Sequence, residues 1–113
     1  MVAGFWATAL GYEPRDALDP DDDGAFLFDP DGAGPSLSFL RVPEGKVVKN
    51  RVHLDIQAGG GRAVPWEERW PRAVAAAERL VAAGATVAEV CEWEGRPDHY
   101  LMLDPEGNEF CVL

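Results

Sequence analysis

The chain predicts an α+β fold whose second half runs strand, helix, strand, strand, strand. Three observations carry this. PRAVAAAERLVAAG (71–84) is Ala-rich at helical spacing, with Pro71 suited to a first helical turn and Gly84 to a C-terminal cap. Short runs of β-branched and aromatic residues, bounded by Gly and Pro, lie on both sides of it. A turn of the form Asp-Pro-acid-Gly occurs twice between strand-like runs, in FLFDPDGAGPSLSFL (26–40) and in LMLDPEGNEFCVL (101–113).

Taken in order, AGFWATAL (3–10) reads as a short helix stopped by Gly11, with a strand expected after that glycine. GAFLFDP (24–30) is a strand running into a turn, and PSLSFLRVP (35–43) a second strand beyond it. GKVVKNRVHLDIQ (45–57) predicts a longer strand, most regular from Arg51 to Gln57. AGGGRAVP is a connection; it has no GK[ST] and does not match a phosphate loop. After the helix, ATVAEVCEW (85–93), HYLML (99–103) and EFCVL (109–113) alternate as strands, with WEGRPD read as the loop before His99.

The two Asp-Pro turns stand 75 residues apart, and the helix-ending glycines Gly11 and Gly84 stand 73 apart. Matching offsets point to an internal duplication, with an incomplete first module at 1–44 and a second at 45–113, together one domain over 1–113. In that register the counterpart of the strand holding His53 falls before Met1, so the first module's opening strand is expected to be missing. A sheet without its opening strand exposes an edge. The expectation is a homodimer that covers the edge, or a natural chain that starts earlier.

Composition narrows the partners. A net charge of −10 argues against nucleic acid and against an acidic membrane surface, and no apolar run is long enough to span a bilayer. The apolar start has no Lys or Arg ahead of it, which argues against a signal peptide. Cys91 and Cys111 form no CxxC and no zinc-finger spacing, so reduced thiols in a cytoplasmic protein are expected. The acidic run DALDPDDDG (16–24) lacks the spaced ligands of a calcium loop and reads as a solvated loop.

KVVKNRVHLDI (46–56) and LMLDPEGNEFCVL, together with FWATALGYE near the start and LVAAGATV before the sixth strand, resemble the glyoxalase-like branch of the vicinal oxygen chelate superfamily. That superfamily includes glyoxalase I, bleomycin-resistance proteins and extradiol dioxygenases. The resemblance spans essentially the whole chain and implies two βαβββ modules forming a curled mixed sheet around a pocket, often in dimers. Metal-using members draw four ligands from the first and last strands of the two modules. His53 matches one of those positions, and the closing Glu of the pattern DPxGNxxE falls on Cys111 rather than on Glu109. SLSFL offers no carboxylate or imidazole, and the ligand of the first module's opening strand has no counterpart. No metal and no resident cofactor are therefore expected; a divalent metal at His53 and Cys111 is the less favoured alternative.

His53 is the best catalytic candidate, as a ligand contact or proton shuttle on the inward face of a central strand, against a histidine that only fixes strand geometry. Asp55 shares its face by period two; it either orients the imidazole or pairs with Arg51. Glu109 and Cys111 also share a face, where Cys111 reads first as a small residue filling the space of a lost Glu. A nucleophilic Cys111 has only His53 or His99 to activate it. Phe39, Trp66 and Tyr100 are the aromatics expected at a ligand, with a dimer contact as the rival role for Trp66 and Trp70. The expected function is metal-free binding of an apolar or aromatic small molecule. The alternatives are a lyase, isomerase or dioxygenase, and an interaction module without activity.

Overall fold

The computed structural model describes residues 2–16 and 23–113, so most of the acidic run at 16–24 lies outside the described residues. The chain divides into two compact units, Met1–Gly45 and Lys46–Leu113. The α+β class read from the sequence is the class observed, with two helices and two sheets.

In the first unit, helix α1 (Val2–Leu10) buries Ala3, Phe5, Trp6 and Ala9, and it ends at Gly11, whose φ of 69° a side chain would resist. Three short strands follow: β1 (Glu13–Arg15), β2 (Ala25–Phe28) and β3 (Leu37–Phe39). They form an antiparallel sheet in the order β1-β2-β3. The turn between β2 and β3 is built by Asp29. Its carboxylate accepts from the amides of Asp31, Ala33 and Gly34 at 2.9, 3.1 and 2.6 Å.

The second unit begins with β4 (Leu54–Ile56), followed by helix α2 (Trp66–Ala82) and the strands β5 (Thr86–Trp93), β6 (Arg96–Leu103) and β7 (Glu109–Val112). The sheet order is β4-β7-β6-β5, with β4 parallel to β7 and the other pairs antiparallel. Asp104 repeats the role of Asp29 across the β6–β7 turn, accepting from the amides of Glu106 and Asn108 at 2.9 Å. The duplicated Asp-Pro turn is thus one device used twice.

Packing follows from alternation along the strands. On β6 and β7, Met102, Phe110 and Val112 are fully buried toward α2, which presents Ala73, Ala76, Ala77 and Leu80. Small residues on α2 let helix and sheet approach closely, and Trp70 stacks on Tyr100 with ring centroids 5.1 Å apart. Gly59 makes a second close approach: a Cβ there would stand 2.9 Å from the carbonyl oxygen of Arg69.

Three sequence expectations need correction. Helix α2 starts at Trp66, so Pro71 is inside the helix and not in its first turn. Trp66 and Trp70, one turn apart, anchor that early stretch: Trp66 Nε1 donates to the Pro97 carbonyl at 2.6 Å and Trp70 stacks on Tyr100. The long strand at 45–57 is ordered as a strand only over Leu54–Ile56, and β4 is an edge strand, so His53 does not stand on a central one. WEGRPD is not a loop. Glu94 and Gly95, with φ of 52° and 78°, make a tight two-residue turn, and β6 starts at Arg96.

Candidate functional site

Asp55 and Cys111 are register partners between the parallel strands β4 and β7, so their side chains project from the same side of the sheet. Leu101 pairs with Cys111 and therefore shares that side, which is the face α2 does not cover. By alternation Leu103, His99 and Glu109 lie there too. The middle of this face is apolar, through Leu101 and Cys111, and its rim is polar.

His53, just ahead of β4, completes a line of three side chains. Its Nδ1 lies 3.2 Å from Asp55 Oδ1 and its Nε2 lies 3.6 Å from Cys111 Sγ. An ionised Asp55 accepts from Nδ1–H, which leaves Nε2 as the acceptor for the thiol. The expected Asp55–Arg51 pair gives way to Asp55–His53, because the chain is not extended as a strand at Arg51. Asn50 holds the approach to β4 by donating to the Glu109 carbonyl at 3.2 Å.

Exposure separates the three. The side chains of His53 and Asp55 are 41% and 57% exposed, whereas Cys111 is buried at 9%. Burial, reinforced by the negative charges of Asp55 and Cys91, pushes the Cys111 thiol up to about 11. At neutral pH Cys111 is therefore a thiol and no ready nucleophile.

Among the described residues, one ligand atom from each of His53, Asp55 and Cys111 lies within 4.8 Å of the others. Imidazole, carboxylate and thiolate suit a divalent cation of the zinc class in donor type and spacing, so these three residues would hold one. Such a cation supplies Lewis-acid polarisation of a bound oxygen. Glu109 is not in that group.

The remaining candidates fall elsewhere. Tyr100 faces α2, on the opposite side of the sheet from Cys111, because Trp70 stacks on it. Trp66 stands at the start of α2 with its indole on Pro97. Phe39 belongs to β3 of the first unit. Neither Tyr100 nor Trp66 joins the group around His53.

One cluster escaped the sequence reading. Asp98, only 2% exposed, receives Arg62 through both nitrogens at 3.0 and 2.8 Å, Arg69 at 2.9 Å, and His99 Nδ1 at 2.9 Å. Burial raises its carboxyl, but the hydrogen bonds from His99 and Arg69 and the charges of Arg62 and Arg69 outweigh it, and Asp98 stays below the ordinary range. The signal was present: Asp98 alternates with Tyr100 and Met102, so a carboxylate points to the core side of β6 and needs cationic partners.

The order β4-β7-β6-β5 with a parallel β4–β7 pair, and a three-stranded sheet in the first unit that repeats the same turn, are now joined by a family match: the glyoxalase-like domain family model covers residues 1–113. The chain belongs to the glyoxalase-like domain family. Solved structures share the fold at low identity. A glyoxalase/bleomycin resistance protein/dioxygenase family enzyme from Burkholderia phytofirmans PsJN is 15% identical, with 97% of this chain and 84% of that one covered and a TM-score of 0.64. A hypothetical protein from S. aureus is 17% identical, with 99% and 83% covered and a TM-score of 0.63. An oxidase, ChaP-H2, is 19% identical, with 98% and 80% covered and a TM-score of 0.56. No curated protein matches. No helix among the described residues is long and apolar enough to cross a membrane.

Proposed function

We propose that this glyoxalase-like chain binds an apolar or aromatic small molecule on the sheet face that α2 leaves uncovered, without the full four-ligand metal site of its superfamily. The observation that carries the reading is the pairing, on one face, of an apolar middle (Leu101, Cys111) with the polar line His53–Asp55 at its edge. An apolar surface with a few convergent polar groups is what small-ligand sites use for affinity and orientation. His53 and Asp55 orient the ligand by hydrogen bonds, and Cys111 contributes apolar contact as a thiol. Glu109 at the rim is a further contact, and the protein works as a homodimer in the cytoplasm.

A second reading has its own support. The His53–Asp55 contact of 3.2 Å sets up an oriented imidazole whose Nε2 can take a proton from a bound molecule, and the structural relatives include a dioxygenase-family enzyme and an oxidase. On that reading the chain is a lyase, isomerase or dioxygenase centred on His53.

Metal analysis of chelator-free protein, followed by a thermal-shift screen of aromatic and apolar compounds, tests the first reading. The expected result is substoichiometric metal and a ligand whose stabilisation is lost in His53→Ala. Stoichiometric zinc, iron, nickel or manganese supports the second reading at the expense of the first. No hit from a broad screen would favour a pure interaction module.

A further inference from the structure

A cleft of about 300 Å³ opens between the start of α2 and the β5–β6 turn, away from the His53 cluster. Its size is at the lower end for small-molecule pockets, roughly 300–1,000 Å³. Arg62, Arg69 and Arg96 line it together with Trp66 and Trp93. The Arg62 guanidinium lies 4.7 Å over the Trp93 ring, and that of Arg96 lies 4.7 Å over Trp66. Each tryptophan is thus the base of a stacked cation, an arrangement that holds a guanidinium flat; the terminal nitrogens of Arg62 are taken by Asp98, so Arg96 is the less engaged of the two.

The charge balance points to the kind of partner. Asp98 supplies one carboxylate to two guanidiniums, those of Arg62 and Arg69. Arg96 has Glu67 at 4.0 Å, the long limit of an ion pair, with the Glu67 side chain 73% exposed. Glu94 on the lining opposes an anion, yet three arginines gathered in one cleft run against a chain net charge of −10. Arg69 also keeps a buried Nε without a hydrogen-bond partner among the described residues. Helix α2 begins at this cleft with no side-chain cap, and its positive end is partly offset by Glu67 and Glu68 in the first turn.

We propose that this cleft is a second ligand site, taking a planar organic anion of the aromatic carboxylate class. The carboxylate pairs with Arg96, and the ring lies against the exposed part of Trp93. This site is distinct from the face around His53 and does not depend on the function proposed there.

Calorimetric titration with 2-naphthoate, alongside uncharged 2-naphthylmethanol, tests it on the full chain. The expected result is binding of naphthoate, at least tenfold weaker binding of the alcohol, and about tenfold weaker naphthoate binding in Arg96→Gln and in Trp93→Ala. Both side chains are half-exposed, so these variants leave the core untouched. Equal affinity for acid and alcohol would overturn the anion site. Absence of naphthoate binding to millimolar concentration would do the same. So would binding that survives Arg96→Gln and Trp93→Ala but disappears in His53→Ala, which would move the ligand to the other face.

Discussion

Asp55 and Cys111 stand opposite each other across the only parallel strand pair of the second unit, and His53 reaches both of them, at 3.2 and 3.6 Å. The pair joins an exposed carboxylate to a buried thiol, so its two members answer to substitution differently.

Replacing Asp55 by Asn, or His53 by Ala, is expected to change folding stability by less than about 1 kcal/mol, since an exposed pair contributes little. Ligand affinity is expected to fall by tenfold or more in the same variants. Urea melts and thermal-shift titrations run side by side check this. A large loss of stability with unchanged affinity would make the cluster structural.

Cys111 gives an alkaline signature. Its thiol is raised from 9.0 to about 11, so the folded state favours the neutral form. The resulting stability is fully present below pH 9 and is lost as the pH rises through about 11. Two units correspond to about 2–3 kcal/mol. Melts at pH 8, 9.5 and 11 are expected to show a steeper loss for the wild type than for Cys111→Ala, and parallel curves would contradict the burial of this thiol.

Asp98 gives an acidic one. Its carboxyl lies below the ordinary 3.8, so its contribution is complete above that value and is lost as the pH falls through the lower folded value. Asp98→Asn is expected to cost about 3 kcal/mol at pH 7, because Arg62 and Arg69 are left facing a neutral amide. The difference between the variant and the wild type should shrink below pH 4. A constant difference from pH 7 to pH 2.5 would remove the charge from the explanation.

Gly59→Ala probes the link between β4 and α2. The added Cβ would meet the Arg69 carbonyl oxygen at 2.9 Å and its Cα at 3.2 Å, both backbone-linked and unable to swing away. A loss of about 1–3 kcal/mol is expected, with α2 displaced near Arg69. By contrast, Gly107→Ala meets only the Lys46 side chain, at 3.7 Å, and its cost is the strain of a φ of 86°. Denaturant midpoints with backbone chemical shifts at Arg69 distinguish the two causes.

Alternation carried most of the fold into view from the sequence. Thr86–Trp93 and Glu109–Val112 read as strands because their polar and apolar residues alternate, and the repeated Asp turns fixed their spacing. The start of α2 was hidden because Pro71 resembles a first-turn proline, while the residues that anchor the earlier turn, Trp66 and Trp70, reveal themselves only against Pro97 and Tyr100. At the site, period two placed His53 with Asp55 and Glu109 with Cys111. It could not say that β4 lies beside β7, which is what brings Cys111 to the imidazole. Alternation likewise divides His99 from Tyr100, but only the position of α2 tells which of them looks toward the core.

β4 is three residues long, lies at the edge of its sheet, and pairs with β7 across the intervening helix and hairpins. Closing so long a stretch of chain costs entropy, and a short edge strand sits at the low end of local stability. His53 immediately precedes that strand, while Cys111 is anchored on β7 in the sheet interior. The imidazole can therefore part from the thiol while β5, β6 and β7 stay intact, so assembly and disassembly of the cluster are set by the local stability of β4 and not by that of the whole domain.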